Sequence, residues 1–139
     1  MSDGNFWTDP DGRSISSPRI SSLAPGEIFV FGSNASGHHG GGAAQFAHDR
    51  FGAVWGEGHG LHGQTYGIDT MSGHAVMGDE VRIFLAFAEA HPEMIFLVTK
   101  IGCGIAGYAP DDVAPLFAGA GGNVALPESF VRVLAETGN

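Results

Sequence analysis

The chain has 139 residues, 43% hydrophobic and 15% charged, which suits one globular domain and excludes a disordered or fibrous protein. Six Lys and Arg stand against 15 Asp and Glu, a net charge of −9, which excludes broad binding to nucleic-acid backbones, where basic patches dominate affinity. Cys103 is the single cysteine, so an internal disulfide and a cysteine-based zinc cluster are excluded. No apolar run reaches the roughly 18 residues of a membrane span and none resembles a signal peptide, so a cytoplasmic location without a membrane partner is expected.

In chain order, residues 1–24 are rich in Asp, Gly, Ser and Pro and read as an N-terminal arm with a short edge strand near Ile15, which Phe6 and Trp7 can pin to the body. The rest, 25–139, reads as one ligand-binding domain. Glu27 to Phe31 is a short β-favouring apolar run, the pattern of a buried strand. A glycine-rich loop follows from Gly32, and apolar residues at 43, 46, 47 and 51 predict a helix closed by Gly52. Of the 23 glycines, 11 lie between Gly32 and Gly67, a density that costs backbone entropy and implies positive φ angles or backbone with no side chain in the way.

Residues 53–65 look irregular, and 65–70 read as a strand. Gly78-Asp79 is expected to cap a helix running to His91, with Val81, Phe84, Leu85 and Ala88 on one face. Residues 94–99 form the clearest buried strand and run into a second glycine loop, Gly102 to Gly107. A helix is expected from Pro110 to about Ala118, then a strand over 123–126 and a helix over 128–136. Phe84, Phe87, Phe96, Phe117 and Phe130 fall at apolar positions and read as core. Strands alternating with helices imply a mainly parallel sheet covered on both faces.

Both glycine loops leave a strand and enter a helix, where ligands of open α/β sheets bind. Such junctions offer free N–H groups and the positive end of a helix dipole, a site for anions. Glycine lets a phosphate approach the backbone. The P-loop pattern is absent. Gly102-Cys103-Gly104-Ile105-Ala106-Gly107 satisfies G-x-G-x-x-G, but too few residues follow it for a Rossmann domain. The two loops therefore point to a phosphorylated, nucleotide-like ligand.

Phe29-Val30-Phe31-Gly32-Ser33-Asn34 with Gly40-Gly41-Gly42-Ala43, and Ile101 to Tyr108 followed by Asp112-Val113-Ala114-Pro115-Leu116-Phe117, resemble the two ligand loops of macro domains over about residues 26–135. The resemblance implies a three-layer α/β/α fold with a mixed, mainly parallel sheet and binding of ADP-ribose or a related nucleotide, free or attached to a macromolecule, without a cofactor. Gly32, Ser33, Asn34, Gly40, Gly41, Gly42 and Ala43 would line the ribose and diphosphate from one side, with Asn34 on the distal ribose. Gly102, Cys103, Gly104, Ile105, Ala106, Gly107 and Tyr108 would wrap the diphosphate from the other. The chain departs from the hydrolytic members: Ala43-Ala44-Gln45 follows the glycines where many carry an Asp, Thr70-Met71 stands at a lysine position, and Ala106 at an Asp position. The acidic residue that usually reads adenine has no clear match, although Glu27 is near in sequence.

Among the remaining side chains, His38 and His39 are adjacent and diverge, and His59 and His62 lack a Cys or an evident acidic partner, so no metal site is expected. Cys103 reads as a small buried filler, and Lys100 either meets a phosphate or ends its strand in water. Asp111 and Asp112 read as helix-start charges. Two functions from the same site stand open: a binding module, or an ADP-ribosyl hydrolase in which Asn34 positions the ribose and Asp69 or a loop histidine activates water. A third reading has the glycines merely turning the chain.

Overall fold

Residues 27–33 alternate between two apolar faces, and this alternation organises the molecule. The computed structural model describes residues 4–34, 42–53, 58–104 and 106–137. Its elements are β1 (Phe6–Thr8), β2 (Ser14–Ser16), β3 (Glu27–Ser33), α1 (Gly42–Arg50), β4 (Gly60–His62), β5 (Thr65–Asp69), α2 (His74–Ala90), β6 (Ile95–Val98), α3 (Pro110–Val113) with a 3-10 turn at Ala114–Phe117, β7 (Val124–Ala125) and α4 (Glu128–Glu136). Five strands form one mixed, mainly parallel sheet in the order β4-β5-β3-β6-β7, with only β4 antiparallel to its neighbour.

On one face of β3, Ile28 and Val30 join a large core with Ile68, Phe84, Phe96, Phe117 and Phe130. On the other face, Phe29 and Phe31 meet Ala47 and Ala53, with Phe46 and Phe51 packed alongside. The rings of Phe29, Phe46 and Phe51 lie 5.1–6.0 Å apart at tilted or edge-on angles, the arrangement aromatic quadrupoles favour. Each fully buried large side chain contributes about 1.5–3 kcal/mol, so β3, with Val30 and Phe31 almost wholly enclosed, is the element the fold can least lose.

The chain leaves β3 through α1 to reach β5 on one side, then returns through α2 to β6 on the other side of β3. Direction along the sheet and covering face reverse together, so both crossovers keep one hand, as parallel connections require. β3 and β6 are thus neighbours whose onward connections part in opposite directions.

The glycine density between residues 52 and 67 has a packing cause. A Cβ on Gly67 would lie 2.8 Å from the Gly58 carbonyl oxygen, and one on Gly58 would overlap the Asn34 carbonyl. The segment entering β4 is therefore laid backbone against backbone over the ends of β3 and β5. β4 itself, three residues long with glycine at its start, carries too little pattern to be read in advance.

The strand expected near Ile15 is present as β2; it pairs with β1 in a hairpin and lies beside β7, exchanging Ser16 N–H to Leu126 O at 2.9 Å and Leu126 N–H to Ser14 O at 3.1 Å. Two helix expectations are corrected. Helix α2 starts at His74, four residues before the expected Gly78-Asp79 cap, because the turn closed by Asp69 and Ser72 delivers the chain directly into it. The helix expected from Pro110 to Ala118 breaks into α3 and a 3-10 turn, with Pro115, which lacks an N–H, at the change. Among the described residues, no helix is long and apolar enough to cross a membrane.

Gly78 is left inside α2 without a steric reason, since its Cβ would make ordinary contact with Leu116 at 3.6 Å. Gly78→Ala should stabilise the fold by about 0.5–1 kcal/mol. Gly67→Ala should destabilise it by about 1–3 kcal/mol through the clash with Gly58. Urea unfolding midpoints of both variants check the pair, and equal shifts would refute the distinction.

Candidate functional site

The exits of β3, β5 and β6 lie side by side at the carboxyl edge of the sheet. A Cβ on Gly32 would sit 3.1 Å from Thr70 Oγ1, at the β5 exit, and 3.6 Å from the Gly102 nitrogen, at the β6 exit. The two glycine loops therefore start within van der Waals reach of each other, at the switch point of the sheet, where open α/β folds bind ligands. A Cβ at Gly32 would need the Thr70 side chain to yield by a few tenths of an ångström, while the Gly102 backbone would be at ordinary contact distance.

The second loop is a tight turn about Gly102, whose φ of +76° suits glycine. Its carbonyl accepts the Tyr108 N–H at 2.8 Å, while Gly107 N–H donates to Gly104 O and Cys103 N–H to Lys100 O. The amides of Cys103, Gly107 and Tyr108 are thus used within the turn, which narrows the expected wrapping of a ligand by the whole segment. The N–H groups of Gly102, Gly104 and Ala106 donate to no other described residue. Tyr108 is held edge-on to His74 at 5.8 Å, and His74 Nε2 meets the Asp112 carbonyl oxygen at 2.9 Å. Asp112 accepts the Ala109 N–H, so it opens α3 as expected of a helix-start charge.

From the first loop, Ser33 and Asn34 end β3, and Gly42 and Ala43 begin α1. Gly40 and Gly41, with His38 and His39, lie outside the described residues, as does Ile105 of the second loop. Ser33 is 3% exposed, and its hydroxyl oxygen is buried without a hydrogen-bond partner among the described residues.

Asp69 does not present a free carboxylate. It is 2% exposed; Oδ1 accepts the Met71 N–H at 2.9 Å and Oδ2 the Ser72 hydroxyl at 2.6 Å. This bonding anchors the turn into α2. Glu27 stands at the opposite end of β3 from the loops, where it accepts bonds from Asn5 Nδ2 and the Ala24 N–H. It is a structural clamp, remote from the site.

His59, expected to lack an acidic partner, has one: its Nδ1 lies 2.8 Å from Glu80 Oε1, which also accepts the Asp69 N–H at 3.0 Å. The signal in the sequence was Glu80 at the second turn of a helix that begins earlier than expected. Among the described residues, no group of three His, Cys, Asp or Glu side chains is placed to hold a metal ion.

Beside the β6 exit lies a cavity of about 740 Å³ that the sequence did not reveal. Phe29, Phe46, Trp7 and Ile20 supply apolar walls, and Lys100 and Arg132 supply cationic groups opposed by Glu128. Thr99 and Lys100, just before the second loop, and Ala43, just after the first, both line it. The cavity therefore borders residues that flank the two loops, while none of Gly32–Asn34 or of the described residues of the second loop is among those that line it. Its size is within the usual range for small-molecule sites, about 300–1,000 Å³.

Comparison with known proteins finds no matching family model, curated protein or solved structure. The site stands on its own geometry.

Burial raises the Cys103 thiol pKa, and Asp112 adds to the rise while Lys100 opposes it. Cys103 packs against the larger core, consistent with a filler rather than a nucleophile. A raised pKa means less thiolate than an ordinary cysteine holds at the same pH. At pH 8 the folded protein should react with iodoacetamide more slowly than glutathione does, and unfolding in guanidinium should remove the difference. Equal rates in the folded state would contradict this placement.

Proposed function

We propose that the chain binds ADP-ribose, or a closely related nucleoside diphosphate, across the exits of β3 and β6, on a three-layer macro-like frame. The observation that carries the reading is the nearness of Gly32 to the Gly102 backbone, where a Cβ on the first would lie 3.6 Å from the nitrogen of the second, so that the two glycine loops leave one edge of the sheet. The diphosphate lies on the amides of Gly102, Gly104 and Ala106 and the start of α1, where N–H groups and the helix dipole favour negative charge. An acidic protein can hold an anion in this way because the donors are main-chain groups. The base lies in the 740 Å³ cavity between Phe29, Phe46 and Trp7, with Lys100 near its phosphate end. The resemblance of both loops to those of macro domains supports the choice of ADP-ribose over other diphosphates, and Asn34 at the end of β3 is then the residue beside the distal ribose.

Gly104 offers a clean test, because a Cβ there meets nothing within 4 Å and the residue is exposed. Gly104→Glu should fold normally and place a carboxylate against the diphosphate. Calorimetry should give a 1:1 complex with ADP-ribose for the parent protein, and at 100 times the dissociation constant the ligand should stabilise it by about 2.7 kcal/mol. Gly104→Glu should lose at least tenfold in affinity. Absence of binding to the parent protein at millimolar ADP-ribose would overturn the reading.

A further inference from the structure

The cavity beside the β6 exit has a polar wall as well as an apolar one. β7 pairs with β6 in parallel, so the chain leaving β7 enters α4 at the same carboxyl edge of the sheet. The apolar lining comes from β3, α1 and the N-terminal arm; the polar lining comes from the β6 exit, as Thr99 and Lys100, and from the start of α4, as Glu128, Ser129 and Arg132. Lys100 and Arg132 have no ion pair or hydrogen bond among the described residues, although Glu128 lines the same cavity. In a chain with 15 acidic against 6 basic residues, two cations thus stand unneutralised in one cavity.

Helix α4 adds neutral donors to the same wall. Its N-cap, Pro127, brings no side-chain cap. The amides of Phe130 and Val131 donate to the Pro127 carbonyl, whereas those of Glu128 and Ser129 have no acceptor among the described residues. The Ser129 hydroxyl oxygen is likewise buried with no partner among them. Free amides and the helix dipole favour an anion here, and a guanidinium fits the oxygens of a phosphate. Two cations and two amides match a dianion better than a single carboxylate charge.

We propose that the polar wall of the cavity is a subsite for a phosphate monoester on the base-side ribose, so that the preferred ligand is a nucleoside diphosphate with a third phosphate on its 2′- or 3′-hydroxyl; this rests on the ADP-ribose reading above. With the base against Phe29 and Phe46 and the diphosphate over the β3 and β6 exits, that ribose passes Thr99 and Lys100 and turns its hydroxyls toward α4. Arg132 and the Glu128 and Ser129 amides hold the added phosphate, and Lys100 serves both phosphate groups. Among the lining residues only Glu128 carries negative charge, and it opposes the phosphate.

Calorimetry with two ligand pairs tests the subsite: ADP-ribose against its 2′-phosphate, and AMP against adenosine 3′,5′-bisphosphate. The parent protein should bind the more phosphorylated member of one pair about tenfold more tightly or better, the worth of one charge-assisted hydrogen bond, and the pair that shows the gain identifies the hydroxyl. Arg132→Gln, at an exposed position, should remove that gain and change the affinity of the less phosphorylated member far less. Glu128→Gln, also at an exposed position, should enlarge the gain. No gain in either pair, a gain that Arg132→Gln leaves intact, or one that Glu128→Gln diminishes overturns this inference while ADP-ribose binding stands. Failure of both ADP-ribose and its 2′-phosphate to bind overturns the underlying reading with it.

Discussion

One close approach underlies the arrangement of the site: a Cβ on Gly32 of β3 would stand 3.1 Å from the Thr70 side chain at the β5 exit and 3.6 Å from the Gly102 nitrogen at the β6 exit, so the three exits are neighbours. Because β3 is the central strand and is buried on both faces, its position is fixed by the two aromatic and aliphatic clusters it separates. The exits inherit that rigidity. If a ligand binds at this edge as proposed, a packed sheet needs little reorganisation to receive it, which lowers the entropic cost of binding.

The glycines serve two distinct ends. Those at 58 and 67 let backbone lie on backbone and pin the approach to β4 over the strand ends. Gly102 instead supplies a positive φ that folds the second loop back on itself, and the N–H groups of Gly102, Gly104 and Ala106 have no acceptor among the described residues. The first kind builds the wall beside Asn34, and the second creates donors. Net negative charge elsewhere does not oppose this, since the donors are neutral groups in a short-range arrangement and exposed charges farther away are screened beyond about 8–10 Å.

The strands β3, β5 and β6, the helix α4 and the phenylalanine core were legible in the sequence because each is a run whose apolar period matches its structure. The neighbouring of the two loops was legible only as an implication of alternating strands and helices. Three features were not. Strand β4 has one exposed leucine between a glycine and a histidine, so its placement comes from pairing with β5 rather than from propensity. The start of α2 was hidden by Gly78, which reads as a boundary but is tolerated inside a helix held by Met77, Val81 and Phe84. The cavity and the His59–Glu80 pair join residues from elements far apart in the chain, and no local spacing announces them. Asp69 shows the reverse error: a carboxylate at a strand end looks available until its turn bonds are seen.

The most direct measurement of the central claim is a titration of the ¹⁵N-labelled protein with ADP-ribose, followed by amide chemical shifts. The account predicts that the amides of Gly102, Gly104 and Ala106 at one exit, and of Ser33 and Asn34 at the other, shift together along one saturable curve, while Gly26, at the opposite end of β3, stays in place. Saturation with no shift at either exit, or shifts confined to the amino ends of the strands, would contradict it.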